Sequence, residues 1–117
     1  MNKLMTWTST VILNTTDATP SLASLLVLRA GNKKIQIIKT LAPDWNDFGV
    51  LLDFDKAGTE LDSIKKAHST YKARCQAMFQ HWLKGNGVRP CSWRKLIQLL
   101  EDCDQYLLAE EIQDALQ

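Results

Sequence analysis

The chain has 117 residues and a formal net charge of +1, with 45% hydrophobic and 23% charged residues. This composition is typical of one globular domain and not of a disordered chain. The small net charge gives no overall field that would attract nucleic acid or an acidic membrane, and no apolar run approaches the roughly 20 residues of a membrane span. The odd number of cysteines argues against a disulfide framework and favours a reducing compartment; they are Cys75, Cys91 and Cys103.

The N-terminal part, residues 1–32, is predicted to be a tail with room for one short helix. Residues 1–19 are rich in threonine and show no helical periodicity. Pro20–Ser21 can open a helix whose inward positions follow at i, i+3 and i+4, namely Leu22, Leu25 and Leu26. Gly31–Asn32 then interrupts the chain, so the folded domain is predicted to span residues 33–117.

From Lys33 onward, the apolar spacing predicts six helices and no strand. The first helix is predicted over residues 33–41. Asp44 is expected to cap the second helix with its side chain, because the first amides of a helix lack partners within it. Thr59–Asp62 resembles a capping box and is expected to open the third helix. The last helix is predicted after Asp104, with these residues facing inward: Leu107, Leu108, Ile112, Ala115 and Leu116.

The fourth and fifth helices are predicted to form the centre of the core. Ser69–Thr70 introduces the fourth, whose apolar residues recur at i, i+3, i+4, i+7 and i+8: Cys75, Met78, Phe79, Trp82 and Leu83. Residues 85–90 then form a turn that cannot continue a helix. Ser92 can cap the fifth helix, which repeats the apolar spacing at Trp93, Leu96, Ile97 and Leu100. Two such faces joined by a short turn indicate an antiparallel helix pair around one core.

Residues that could carry catalysis or bind metal are few and are not arranged for either task. Cys75 and His81 are six residues apart, about 600° of helical rotation at about 100° per residue, so they point away from each other. Close Cys-x-x-Cys pairs, which a zinc site would need, do not occur. No Gly-rich phosphate loop follows a predicted strand. The sequence therefore predicts a non-catalytic domain without a metal or cofactor.

Five blocks of the sequence resemble, in order, the segments that characterise the death domain. Met78–Leu83 resembles the family's Met-Leu-x-x-Trp-Leu fourth helix, and Ser92–Ile97 resembles its Thr-Trp-x-x-Leu-Ile fifth helix. The other blocks are Trp45–Leu52, Leu61–Ile64 and Leu108–Ile112. No single block is specific, but all five occur at the separations expected for the family, over residues 33–117.

The resemblance implies an all-α fold, a six-helix antiparallel bundle of Greek-key type; the extra N-terminal helix that the residues before Lys33 allow has no counterpart in the minimal domain. The resemblance also implies a protein that is not an enzyme and that has no cofactor, small-molecule substrate, nucleic acid or membrane as a partner. Death domains bind other death-domain proteins, and further copies of themselves, through unlike surfaces that build open oligomers. The implied role is a cytoplasmic adaptor or scaffold in apoptotic or innate-immune signal transduction.

Charged residues are separated by sign along the predicted helices, and this separation indicates where such an assembly would form. We name Asp44, Asp47 and Asp55 the acidic patch, and Lys65, Lys66, Lys72 and Arg74 the basic patch. One charge run alone is more often a solvated helix face. Several runs of opposite sign favour an interaction, because complementary patches steer encounter and fix register. The C-terminal region is also acidic, through Glu101, Asp102, Asp104, Glu110, Glu111 and Asp114.

The alternative hypothesis is a small helical nucleic-acid-binding domain. The helix from Ser92 to Leu100 would be its reading helix, with Arg94 and Lys95 on phosphates. The carboxylates that follow this helix, beginning with Glu101, would repel phosphates. Binding to duplex DNA at low salt separates the two hypotheses.

Overall fold

The computed structural model describes residues 17–54 and 57–117. In this part of the chain, seven α-helices and one two-stranded hairpin follow one another. They are α1 (Leu22–Leu26), β1 (Leu28–Ala30), β2 (Lys33–Ile35), α2 (Ile37–Leu41), α3 (Trp45–Leu51), α4 (Ala57–Ala67), α5 (Tyr71–Leu83), α6 (Trp93–Asp102) and α7 (Tyr106–Leu116). A 3-10 helix, Ala42–Asp44, joins α2 to α3. The predicted all-α bundle is confirmed, with α2–α7 as its six helices and α1 as the extra one.

The prediction of one helix over residues 33–41, with no strand, was wrong. Lys33–Ile35 forms β2, which pairs antiparallel with β1 so that Leu28 lies opposite Ile35. Gly31 adopts φ +62° in the two residues between the strands, a conformation that such short hairpin turns need and that glycine allows without strain. The helix starts only at Ile37, whose side chain is fully buried.

The centre of the core is a cluster of aromatic rings on α3 and α5. The Phe48 ring centroid lies 5.4 Å from that of Phe79 and 6.4 Å from that of Trp82. All three side chains are fully buried, as predicted for Trp82. The indole Nε1–H of Trp82 donates to the carbonyl oxygen of Val88 at 2.6 Å. This bond satisfies a polar atom that would be costly to bury alone, and it ties α5 to the turn that follows it.

The turn between α5 and α6 is also fixed to the end of α3. The amide of Val88 donates to the carbonyl oxygen of Leu52 at 2.6 Å. Gly87 adopts φ +82°, and a Cβ at this position would lie 2.7 Å from the same oxygen. The close approach of the two backbones therefore requires glycine. Phe54 is buried beside this contact.

Three predicted helix starts carry the side-chain caps typical of them. The hydroxyl oxygens of Ser21, Thr70 and Ser92 each accept a 3.1 Å bond from the amide three residues later. The two other predicted caps were wrong. Asp44 makes no capping bond, because at the end of the 3-10 turn its backbone (φ −109°, ψ 20°) lacks the extended conformation of a typical N-cap. Thr59 lies inside α4, which begins at Ala57.

The inward face of α7 differs from the predicted one at two residues, since Leu107 is exposed and Ala109, which was not predicted to face inward, is buried. Leu108, Ala109 and Ile112 are buried, whereas Leu107 is 72% exposed. Successive residues of a helix are about 100° apart, so Leu107 and Leu108 cannot both lie at the centre of one face. The core selects Leu108 because Ile112 lies one turn further along the same face.

Residues before Lys33 pack against the bundle. Leu25 of α1 is fully buried in the common core. The carbonyl oxygen of Ala18 accepts from the Trp93 amide at 3.0 Å, and the Thr19 hydroxyl donates to the carbonyl oxygen of Cys91 at 2.8 Å. These bonds hold the segment at the start of α6. The division of the chain at Lys33 remains a prediction.

Candidate protein-interaction surface

The basic patch lies where the end of α4 meets the start of α5. Lys65 and Lys66 occupy the last turn of α4, and Lys72 and Arg74 lie in the first turns of α5. Within the described residues, Lys66 forms an ion pair with Asp62 at 2.9 Å, and no carboxylate pairs with the other three cations. The exposed Lys66–Asp62 pair contributes little to stability. Three cations are therefore available to carboxylates from outside.

The position of Lys72 and Arg74 on α5 is not explained by helix stability. The first turn of a helix carries a partial positive charge, so cations there are unfavourable and acidic residues are preferred. The first turn of α5 contains no acidic residue. This placement opposes the helix dipole, so the positive charge of Lys72 does not stabilise the start of α5.

A shallow cleft of about 280 Å³ runs between the basic patch and the connection of α2 to α3. We name it the basic cleft; its lining residues are Pro43, Trp45, Asn46, Lys65, Tyr71 and Arg74. A second depression shares Asn46 and Lys65 with it and extends to Val50. The side chains of Tyr71 and Val50 are 57% and 56% exposed. The surface thus combines positive charge with exposed apolar side chains.

Arg74 is held in position within the basic cleft. Its Nε–H donates to the carbonyl oxygen of His68 at 2.8 Å. Its guanidinium carbon lies 5.7 Å from the centroid of the Tyr71 ring, within the range of a cation–π contact. A fixed guanidinium loses little freedom when it binds a carboxylate, and its planar fork suits two parallel hydrogen bonds. Arg74 is therefore preorganised for an acidic partner.

The two described residues of the acidic patch, Asp44 and Asp47, lie at the start of α3. Asp47 is exposed in the first turn of α3. The Oδ2 atom of Asp44 accepts a hydrogen bond of 2.7 Å from Nε2 of Gln105, which places Asp44 beside the turn between α6 and α7. Asp55 lies outside the described residues. The acidic group that includes Asp44 is consequently centred on the α6–α7 turn.

This turn concentrates carboxylates that no described cation neutralises. Glu101, Asp102 and Asp104 are exposed, and none of them forms an ion pair within the described residues. We name these three residues, together with Asp44, the acidic corner. Asp104 adopts φ +65°, a conformation that Asp and Asn tolerate better than most residues. The C-terminal acidity was predicted, but its junction with Asp44 was not.

Two large side chains project from the acidic corner, and the sequence analysis missed both as functional candidates. Tyr106 is 62% exposed and Leu107 is 72% exposed. A side-chain hydrogen bond to Asp104, together with the nearby carboxylates of Asp104, Glu101 and Asp102, raises the pKa of Tyr106. The sequence pattern that could have revealed them is the run of three large residues directly before Ala109. A helix cannot direct all three toward the core, so at least one had to be exposed.

The described histidines and cysteines are not arranged for catalysis. Burial raises the pKa of Cys75 to about 12 and that of Cys91 to about 11, so both thiols are protonated and poorly nucleophilic at neutral pH. His81 pairs with Glu60 and contacts the Phe54 ring, away from Cys75. Among the described residues, no group of three or more His, Cys, Asp or Glu could hold a metal ion. No described helix is long and apolar enough to cross a membrane.

The start of α6, the element on which the nucleic-acid hypothesis depends, is occupied by contacts within the chain. The Nε atom of Arg94 lies 3.1 Å from Oδ1 of Asp17 in an ion pair. The ammonium group of Lys95 donates to Gln98 at 3.2 Å. Both cations therefore have partners in the fold, and the geometry gives this hypothesis no specific support.

Comparison with known proteins identifies the fold. The family model for the death domain matches residues 32–116. No curated protein and no solved structure shows significant similarity to the chain. The family match spans well over half of the 117 residues and covers α2–α7. The chain therefore belongs to the death domain family, whose members are protein-interaction modules of signalling proteins and not enzymes.

Proposed function

We propose that this death domain assembles homotypically, binding other death-domain proteins and further copies of itself. In that role it acts as a cytoplasmic adaptor or scaffold in apoptotic or innate-immune signalling. The basic patch of one molecule binds the acidic patch of the next. The observation that carries the proposal is that Lys65, Lys72 and Arg74 are not neutralised within the described residues, while Arg74 is already fixed in place.

The energetics require several contacts to act together. An exposed ion pair contributes about 0.2–1 kcal/mol, so one pair of domains associates weakly. Salt weakens this association further, because the Debye length is only about 8 Å at physiological ionic strength. Contacts made by several subunits at once raise the overall affinity without any stronger single contact. Since the two surfaces are unlike, repetition of the contact extends an assembly unless its rotation closes a ring.

Light scattering of the purified protein, as a function of concentration and salt, tests the proposal. The parent protein is expected to show a mean mass that rises with concentration and falls with added salt. A variant with Lys65→Glu and Lys72→Glu is expected to remain monomeric. Lys72 is a better choice than Lys66, because Lys66 already pairs with Asp62 and because a glutamate suits the first turn of α5.

The matched control is Lys34→Glu with Lys39→Glu, which makes the same change in net charge on exposed residues of β2 and α2. We expect this control to assemble like the parent. Large oligomers of the Lys65→Glu, Lys72→Glu variant at moderate salt would show that the basic patch does not drive assembly.

A further inference from the structure

The acidic corner carries the two most exposed large apolar side chains of the described residues, Leu107 and Tyr106. They adjoin Asp104, and Glu101 and Asp102 lie on the preceding turn. Burying such side chains removes apolar area from water and is favourable. A surface that joins acidic groups to exposed apolar ones fits a partner that offers the opposite charge beside its own apolar side chains.

The basic cleft and the second depression beside it, which contains Val50, have this composition. Tyr71 and Val50 are the other two large hydrophobic residues exposed in the described part of the chain. Lys65 and Arg74 line the cleft, and Lys72 follows Tyr71 on α5. All four exposed large hydrophobics of the described residues thus fall on two surfaces of opposite charge.

The acidic corner, like Lys72 at the start of α5, opposes the dipole of its own helix. The C-terminal end of a helix carries a partial negative charge and favours cations. In α6 this end holds Glu101 and Asp102, and the last turn contains no basic residue. Both surfaces thus place charges where they weaken a helix, and neither neutralises the other within one molecule. Binding between two molecules can neutralise both sets of charges.

We propose that the acidic corner of one copy of this chain docks into the basic cleft of a second copy. Tyr106 and Leu107 pack against Tyr71 and Val50, while Glu101, Asp102 and Asp104 face Lys65, Lys72 and Arg74. The inference rests on the self-association proposed above and specifies its acidic side. It moves the centre of that side from Asp47 to the corner that includes Asp44. The apolar residues supply affinity at the centre, and the charges around them set orientation.

The test combines sedimentation velocity at low salt with charge-reversed variants. Glu101→Lys with Asp102→Lys is expected to lower the association constant at least tenfold. The same variant should keep or raise its melting temperature, because lysines suit the end of α6. Leu107→Ser should also weaken association at least threefold, with an unchanged circular dichroism spectrum, since this side chain contributes little to the core. Asp47→Lys should assemble like the parent.

Mixing provides the decisive measurement. The corner variant (Glu101→Lys, Asp102→Lys) keeps a native basic cleft, and the cleft variant (Lys65→Glu, Lys72→Glu) keeps a native acidic corner. Each alone should be monomeric, and an equimolar mixture should form dimers with one molecule of each. Full assembly by the corner variant, together with an Asp47→Lys variant that stays monomeric, would overturn the inference and leave the proposed self-association standing. A parent protein that stays monomeric at all concentrations would overturn both.

Discussion

The side chain of Gln105 donates a 2.7 Å hydrogen bond to the carboxylate of Asp44, across 61 residues of sequence. The bond fastens the 3-10 connection between α2 and α3 to the turn between α6 and α7. It thereby sets the position of the acidic corner relative to the basic cleft, because Pro43 and Trp45 on either side of Asp44 line that cleft.

Removal of this bond is expected to weaken the fold. Hydrogen bonds to charged groups contribute about 1.5–3 kcal/mol, and this one is partly buried, so Gln105→Ala should lower the free energy of unfolding by about 1.5 kcal/mol. Urea denaturation measures the change. The control is Gln113→Ala, a half-buried glutamine of α7 without such a bond. An equal loss of unfolding free energy in the two variants would show that the hydrogen bond to Asp44 does not stabilise the fold.

Trp82 is expected to be the most costly side chain to truncate. It is fully buried and bonded to Val88, so Trp82→Ala should remove about 3–5 kcal/mol, enough to unfold most domains of this size. Trp82→Phe keeps a ring in the core but loses the indole donor, and it should cost less. Circular dichroism during thermal unfolding distinguishes the three proteins. A cooperative transition of Trp82→Ala near that of the parent would contradict this account of the core.

Leu25 tests whether the fold begins before Lys33. Because its side chain is fully buried among core residues, Leu25→Ala should cost about 2–5 kcal/mol. The exposed Ala23 of the same helix offers a control, since Ala23→Ser changes a side chain outside the core. Chemical denaturation of both variants gives the comparison. An unchanged stability of Leu25→Ala would place the boundary of the folded unit at Lys33, as the sequence predicted.

The thiols are expected to react slowly and in a defined order. With a pKa of about 12, Cys75 has roughly one thiolate in ten thousand molecules at pH 8, far less than a free cysteine. Alkylation followed by mass spectrometry should modify the half-buried Cys103 before Cys75. Burial raises the pKa values of the thiols in the folded protein above those in the unfolded chain. The free energy of unfolding that depends on keeping these thiols protonated is therefore fully present below about pH 8.5 and is lost as pH rises toward 12. Rapid labelling of Cys75 at pH 8 would contradict its burial.

Binding to duplex DNA is expected to be absent. The net charge is +1, Arg94 pairs with Asp17, and exposed carboxylates lie at the end of α6. Fluorescence anisotropy with a labelled duplex at about 50 mM salt is the measurement, because nonspecific phosphate contacts are strong under this condition. Binding that weakens steeply with salt would restore the nucleic-acid hypothesis.

Helix periodicity predicted most of this fold because the apolar stripes are long and regular. The apolar stripe from Cys75 to Trp82 and the cap at Ser92 are hard to reconcile with any structure other than helices at these positions. The β-hairpin was missed because Ile35 fits both a helical stripe ending at Leu41 and a strand paired with Leu28. The pairing of β1 with β2 is a contact between two segments of the chain, so the spacing of apolar residues within one segment does not predict it.

The candidate site was predictable in composition and not in arrangement. The signs of the charge runs could be taken directly from the sequence. The junction of Asp44 with Gln105 depends on the 3-10 turn, which leaves the carboxylate of Asp44 without a capping bond. The exposure of Leu107 depends on how α7 is rotated about its axis. Because Leu107 and Leu108 are both apolar, the sequence does not determine which of them faces the core.

The hydrogen bonds of the Val88 peptide group determine how the turn between α5 and α6 can open. Its amide is bonded to Leu52 and its carbonyl oxygen to Trp82, so both of its polar atoms are held by residues of the core. Loop amides usually exchange their hydrogens for deuterium through small local fluctuations. Exchange of this amide requires the turn between α5 and α6 to detach from Leu52. Its exchange rate therefore measures how firmly the turn is held to the end of α3.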